Sequence, residues 1–118
     1  MRVLLTFVGF ALAVASPQAL ADCAYPRAPE NVPDGSTASE PEMIAAMTTF
    51  KQYNADVTAY GDCLSSETSN KIREAAGSTS AIIQIKSLQA KKNNSAVKDL
   101  KELTGKFNEQ VRAFKARK

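Results

Sequence analysis

The sequence predicts an all-α protein, a long antiparallel helical hairpin with an extended, proline-rich arm on its N-terminal side. Two observations predict the helices: apolar residues alternate at spacings of three and four over residues 39–63, and one seven-residue apolar frame runs through residues 71–118. A third observation is that no proline follows Pro41. A break near Asn93 would instead give a three-helix bundle, and that alternative stays open.

Residues 1–21 have the features of a signal peptide. Arg2 precedes an apolar run over residues 3–14, which is too short to cross a bilayer, and a small-x-small sequence ends at Ala21. We therefore expect cleavage after Ala21 and a periplasmic or secreted mature protein. The alternatives are a retained anchor and a lipoprotein modified at Cys23, and the acidic residue before that cysteine argues against the second.

Cys23 and Cys63 are the two cysteines of the chain, and both follow the predicted signal peptide. An even pair in an exported protein predicts a disulfide bond. Closing a loop between positions 40 residues apart should stabilise the fold by about 4 kcal/mol on the chain-entropy argument. The chain has no histidine, so two cysteines cannot build an ordinary zinc site, and their spacing is unlike a Cys-x-x-Cys redox motif.

Residues 22–38 form the predicted arm. Its three prolines favour extended, polyproline-like backbone over a helix, and the Pro-Asp-Gly sequence at residues 33–35 predicts a turn. Backbone of this kind can reach at most about 50 Å over the length of the arm. A helix over residues 39–63 rises about 36 Å. The arm can therefore run back along this helix and bring the two cysteines together.

Residues 39–118 form the predicted helical domain. Ser39 is the expected N-cap of the first helix, and Glu42 is its expected partner in a capping box. The polar stretch at residues 65–70 predicts that the chain reverses there. Gly61 interrupts the apolar pattern, and we expect it to leave room for the returning arm.

The second helical segment, residues 71–118, has two places where a helix could bend or stop, at residues 77–80 and 93–95. As a single helix it would be much longer than the first, and its far end would expose an apolar stripe. We expect this stripe to mediate self-association or contact with an envelope protein. The predicted interaction stripe consists of Val97, Leu100, Phe107, Val111 and Phe114.

Several short motifs follow one another along the mature chain: Tyr25-Pro26 after the first cysteine, Pro33-Asp34-Gly35, Glu42-Met43, Tyr60 before Cys63, and Phe107-Asn108 with Arg112-Ala113. Together they resemble a family of small, uncharacterised bacterial exported (periplasmic) two-cysteine helical proteins. The resemblance implies an all-helical fold and a location outside the cytoplasm, and it implies no activity.

Charge is divided along the chain. Residues 22–70 carry a net charge of −6, and residues 71–118 carry +8. The simplest interpretation is that an acidic first helix lies against a basic second helix, with the charges helping to set their pairing. The alternative is that the basic C-terminal helix binds an anionic surface.

The sequence contains no pattern that is typical of an enzyme. The commonest general base is missing, and there is no phosphate-binding loop, calcium loop or Cys/His cluster, so we expect neither a cofactor nor a metal. Basic residues without interleaved aromatic residues argue against nucleic-acid binding. We therefore expect a non-enzymatic exported scaffold or interaction protein of the bacterial cell envelope. The alternative is a holdase-like or anionic-surface-binding helical protein of the envelope stress response.

Overall fold

The computed structural model describes residues 23–117, which form an antiparallel pair of long helices. Helix α1 spans Glu40–Glu74 and helix α2 spans Thr79–Lys115, and the two pack against each other as a hairpin. No strand occurs within this part of the chain. The predicted all-α hairpin is confirmed, and the predicted signal peptide lies outside the described residues.

Helix α1 begins at the predicted cap. The Ser39 hydroxyl accepts a hydrogen bond from the Glu42 amide at 3.3 Å, and the Ser39 amide donates to the Glu42 carboxylate at 2.7 Å. The pair is therefore a complete capping box, which contributes about 1 kcal/mol to helix stability. Pro41 lies in the first turn, where its missing N–H costs little.

The predicted reversal at residues 65–70 is wrong, because α1 continues through that stretch to Glu74. Leu64 is only 2% exposed, and an ion pair between Glu67 and Lys71, four residues apart, supports the helix through the polar stretch. The chain reverses instead at Ala76 and Gly77, whose φ angles of 48° and 83° lie in the left-handed region that ends helices. This turn coincides with the first of the two predicted break points.

Helix α2 passes through Asn93 without a break, so the three-helix alternative is wrong. Asn93 lies at the helix–helix interface, where a Cβ added at Gly61 would be 3.1 Å from its Oδ1 atom. Gly61 therefore leaves room for α2 and not for the arm, which corrects the interpretation made from the sequence. A glycine in α1 lets an amide side chain of α2 approach closely, and both helices stay continuous.

The predicted overhang of the second helix is also wrong. Because α1 extends to Glu74, the helices contain 35 and 37 residues and match in length. Phe107 is 5% exposed and stacks on Phe50, with ring centroids 4.6 Å apart and planes 7° apart. The other four residues of the predicted stripe pack against the same core. The buried residues of this core are Ala38, Met43, Phe50, Tyr53, Val57, Tyr60, Leu64, Ala96 and Phe107.

The single apolar frame predicted over residues 71–118 holds only for the later part of α2. Near the start of α2, Ile83 is 63% exposed, whereas Ile82 and Ile85 are partly buried towards α1. The turn at Ala76 and Gly77 is not the reason, because Ile83 and Phe107 lie in the same unbroken helix, α2. A strict seven-residue repeat drifts by about 20° per heptad relative to a straight α-helix, so the face that the frame marks near Phe107 has turned away from α1 about three heptads earlier, at Ile83.

The arm returns along the hairpin as predicted, and the disulfide between Cys23 and Cys63 fixes this end of the arm beside α1, with the two Cα atoms 5.8 Å apart. Tyr25 then packs edge-on against Tyr60, with ring centroids 5.4 Å apart. The Tyr25 hydroxyl donates a hydrogen bond to the Asp99 carboxylate of α2 at 2.6 Å. The arm therefore contacts both helices and covers one face of the hairpin.

The far end of the arm docks on the C-terminal part of α2. The Gly35 amide donates to the side-chain oxygen of Gln110 at 2.9 Å, and the Arg117 guanidinium donates to the carbonyl oxygens of Gly35 and Ala38. The predicted turn is present, since the Thr37 and Ala38 amides both donate to the Asp34 carbonyl. The arm is thus attached covalently at one end and by hydrogen bonds at the other.

Replacing Gly61 with alanine tests the interpretation that this glycine accommodates Asn93. Alanine gains up to about 1 kcal/mol of helix propensity, and the nearby Asn93 atom is the end of a flexible side chain that can move aside. We therefore expect Gly61→Ala to raise the free energy of unfolding by a few tenths of a kcal/mol to about 1 kcal/mol, measured by urea denaturation.

The double variant Gly61→Ala/Asn93→Ala completes the test of this contact. Against an Asn93→Ala background, the alanine at position 61 should stabilise more than it does in the parent, because the close approach has been removed. A loss of stability in Gly61→Ala that persists in the Asn93→Ala background would contradict the explanation.

Candidate functional site: a groove on the uncovered face of the hairpin

The face of the hairpin opposite the arm contains an open groove with a volume of about 420 Å³. Helix α1 contacts the arm through residues such as Tyr53 and Tyr60, whereas Met47 and Lys51 lie on the other side of its buried stripe. The groove therefore runs between the helices on the face that the arm leaves uncovered. It is lined by Met47, Phe50, Lys51, Asn54, Thr104, Phe107, Asn108 and Val111.

The floor of the groove is apolar. The stacked rings of Phe50 and Phe107 join α1 to α2 there, and both side chains are almost completely buried. Met47 lies beside them with 45% of its surface exposed, and Ile44, three residues earlier on the same helix, is 57% exposed. Met47 thus remains in solvent next to an aromatic floor, with the exposed Ile44 outside the groove, and this arrangement favours contact with an apolar partner surface.

The walls of the groove are polar but uncharged, except for Lys51. Asn54 of α1 and Asn108 of α2 are exposed, and Thr104 is partly buried between them and the floor. Amide side chains can both donate and accept hydrogen bonds. The walls can therefore bind polar groups of a partner.

The rim of the groove on α2 is basic. Lys101 precedes Thr104 by three residues, Arg112 follows Asn108 by four, and Lys115 follows Val111 by four, so each lies on the groove side of the helix. All three side chains are exposed. With Lys51 across the groove, four cations surround an apolar floor.

The acidic residues of this part of α2 point away from the groove. Glu102 and Glu109 each follow a rim or wall residue by one position, which turns them about 100° further around the helix. Glu102 forms an ion pair with Lys98, whose nitrogen lies 3.9 Å from a carboxylate oxygen. The positive charge of the rim is therefore not neutralised from its own helix by these carboxylates.

Two ion pairs occur within residues 23–117 as close contacts, and each lies within a single helix. Lys71–Glu67 and Lys98–Glu102 each join residues four apart within one helix. The polar contacts between the helices and the arm instead use uncharged groups or one charged partner, as in the Tyr25–Asp99 and Arg117–Ala38 hydrogen bonds. Apolar packing joins the helices, and charge adds a weaker attraction between them, as between Glu67 of α1 and Lys92 of α2.

A smaller cavity of about 220 Å³ lies between the helices beyond the disulfide. Leu64, Ile85 and the 48% exposed Leu88 form its apolar part, and the Glu67–Lys71 ion pair borders it. The hydrogen bond from Lys71, opposed by desolvation, lowers the pKa of Glu67. The Glu67 carboxylate also accepts from the Cys23 backbone, so this ion pair serves to anchor the start of the arm.

Sequence reasoning located part of this site. Phe107 and Val111 of the predicted interaction stripe line the groove, whereas Val97, Leu100 and Phe114 pack elsewhere against the core. The stripe is therefore mainly an internal packing surface, which corrects its prediction as an exposed one. Met47 could have been identified from the sequence. It lies one position from the apolar stripe of α1, and an apolar residue at that position widens the apolar face of a helix.

The three tyrosines lie where the arm meets the helices, and the pKa of each is raised. Burial is the main reason that the pKa values of Tyr53 and Tyr60 are raised above the ordinary value. The hydrogen bond to Asp99 is the main reason that the pKa of Tyr25 is raised as well. A phenol whose pKa is raised in the native state favours folding below its unfolded-state pKa, near 10, and that contribution is lost as the pH rises through the native value.

We therefore expect the protein to lose stability above about pH 10. The measurement is the urea midpoint as a function of pH, together with tyrosinate absorbance of the native protein, which contains no tryptophan to interfere. Tyr25→Phe leaves two phenols to titrate, so the loss of stability at alkaline pH should be smaller. Native phenols that all titrate at the free tyrosine value would contradict the prediction.

No cluster of three or more histidine, cysteine, aspartate or glutamate residues that could hold a metal occurs within residues 23–117. Both cysteines are joined in the disulfide. None of the helices in this region is long and apolar enough to cross a membrane.

No family model matches the chain, and neither the curated proteins nor the solved structures contain a significant match.

Proposed function

We propose that this protein is a non-enzymatic interaction protein of the bacterial cell envelope, which presents the groove opposite its arm to a partner. The observation that carries the proposal is the exposed Met47 beside the stacked Phe50 and Phe107. The rest of the apolar stripe is packed internally, so this groove is where apolar floor, hydrogen-bonding walls and charge come together. Such a combination suits binding of a partner.

The disulfide supports the envelope location. A cysteine pair joined as Cys23–Cys63 is consistent with an oxidising compartment, where such bonds form and persist. The signal peptide predicted over residues 1–21 would deliver the chain there, as would be usual for the exported two-cysteine family that it resembles. The arm clamped by this bond then holds the hairpin in one shape, which lowers the conformational cost of binding.

Site-specific photocrosslinking in cells tests this function. A photoreactive amino acid at Met47 should give discrete crosslinked species, because this side chain lies in the groove. The matched control is the next residue, Thr48, which is exposed on the side of α1 that faces the arm. Equal yields at both positions, or none at Met47, would argue against the groove as an interaction face. Cell fractionation and alkylation of the same samples test export and disulfide formation.

A second candidate function is binding to an anionic surface, or holdase-like binding of unfolded chains. It is favoured by the exposed cations along α2, several of which lie outside the groove, such as Lys91 and Lys106. Binding to vesicles that contain phosphatidylglycerol, lost at high salt, would favour the first form. Slower aggregation of a heat-denatured client protein would favour the second. This candidate fails if the protein does neither.

A further inference from the structure

We propose that the groove binds an acidic amphipathic helix of a partner protein. This inference rests on the proposed function and specifies the chemistry of the partner. Two antiparallel helices form an elongated cleft, and a third helix can lie in such a cleft with its apolar stripe on the floor. The floor formed by Phe50, Phe107 and Met47 supplies the apolar contact, and the flexible thioether of Met47 can adapt to different side chains.

Charge selects the partner. Lys51 on one side of the groove and Lys101, Arg112 and Lys115 on the other would lie beside the flanks of a helix bound along the floor. Glutamate or aspartate at the flanking positions of that helix would pair with these cations, as charged residues flank the apolar seam in a coiled coil. A basic helix would be repelled from the same positions.

A second copy of this chain fits the groove less well. Two identical hairpins that meet through this face would bring their basic rims together, and like charges placed opposite each other are unfavourable. The segment before Cys23 is also a poor occupant, because Arg2 and Asp22 are its charged residues and it offers no acidic stripe. Its attachment point is the disulfide at Cys63, which lies 13 residues beyond Phe50 along α1.

A bilayer would contact the groove only at its edges. The stacked rings lie at the bottom of a cleft between two helices, whereas a flat surface would touch the basic rim and the exposed Ile44 and Met47. The uncharged walls, Asn54 and Asn108, would then have no partner. A helical segment contacts the floor, walls and rim together, and it therefore accounts for more of the site.

Two probe peptides test this inference with the oxidised mature protein. Both carry leucine in a heptad pattern along one face; the first has glutamate at the flanking positions and the second has lysine at the same positions. We expect binding of the acidic peptide, followed by fluorescence anisotropy, and at least about tenfold weaker binding of the basic peptide, the size expected when two ion pairs are exchanged for repulsions. High salt should weaken binding of the acidic peptide.

Charge-reversal variants locate the binding site. Lys101→Glu/Arg112→Glu should weaken binding of the acidic peptide about tenfold, because both side chains lie on the rim. The matched control, Lys91→Glu/Lys106→Glu, reverses two exposed cations of α2 away from the groove and should change affinity by less than about twofold. Circular dichroism establishes that each variant keeps its helices.

Several results would overturn the inference. Equal affinity for the two peptides, equal losses in the two double variants, or no binding of the acidic peptide would each exclude a groove that selects an acidic helix. Dimers that Met47→Lys disrupts would identify a second copy as the occupant, and vesicle binding that Lys101→Glu/Arg112→Glu abolishes would identify a membrane. If the peptides fail while photocrosslinking from Met47 succeeds, the interaction face stands with a different partner. If both fail, the proposed function fails too.

Discussion

Replacing both cysteines with serine is expected to lower the free energy of unfolding by about 2–5 kcal/mol, a large part of the stability of a domain of this size. Without the bond, Cys23 is no longer held near Cys63, and the arm must be ordered by weaker contacts such as the Tyr25–Asp99 hydrogen bond. Urea denaturation followed by circular dichroism measures the loss. Amide hydrogen exchange should show faster opening in the arm than in the helices.

The control for this variant replaces neighbours of the two cysteines without touching the bond. Ala24 and Ser66 are exposed, so Ala24→Ser/Ser66→Ala should stay within about 0.5 kcal/mol of the parent. Equal urea midpoints for Cys23→Ser/Cys63→Ser and for this control would mean that the arm does not depend on its covalent anchor. The hydrogen bonds at Gly35 would then be its main attachment.

Gly35→Ala is expected to cost about 2–3 kcal/mol, the upper part of the range for overpacked sites. A Cβ at this position would lie 1.8 Å from the backbone oxygen of Gln110 and 3.0 Å from the amide nitrogen of Phe114. These are backbone atoms of α2 and cannot rotate away. The turn of the arm must therefore lift from the helix, which breaks the hydrogen bond from the Gly35 amide to Gln110 and strains those made by Arg117.

Gly105→Ala provides a matched control with the opposite sign. Gly105 lies inside α2, and an added Cβ would have no neighbour within 4 Å. The substitution should therefore stabilise the protein by up to about 1 kcal/mol through helix propensity. If Gly35→Ala proves as harmless as Gly105→Ala in urea denaturation, the close docking of the arm on α2 is contradicted. Hydrogen exchange at Thr37 and Ala38 shows directly whether the turn has detached.

Both predictions concern the arm because it determines which face of the hairpin is free. Held by the disulfide at one end and by Gly35 and Arg117 at the other, it covers the side of α1 that carries Tyr53 and Tyr60. The groove at Met47 lies on the remaining face. Arm variants therefore provide a further control for binding. A loosened arm should lower the stability of the hairpin, whereas the positive charge of the rim stays the same.

The sequence alone determined the elements whose signals are local or covalent. Ser39 and Glu42 mark the start of α1, because a capping box uses residues three apart. The proline-rich arm and the two cysteines predicted the return of the chain to Cys63, because the reach of extended backbone can be compared with the rise of a helix. The all-α hairpin followed from spacing that places apolar side chains on one face.

Packing between the helices determines where the chain reverses and which apolar residues stay exposed. The polar stretch after Leu64 resembles a turn, but packing of Leu64 and the Glu67–Lys71 pair keep it helical, so the helices match in length and the predicted overhang disappears. The groove at Met47 and Phe107 combines residues about 60 positions apart in the sequence. Periodicity within one helix indicates which face is buried, but it does not identify the segment that packs against that face. For this reason the local elements could be predicted from the sequence, whereas the reversal and the groove could not.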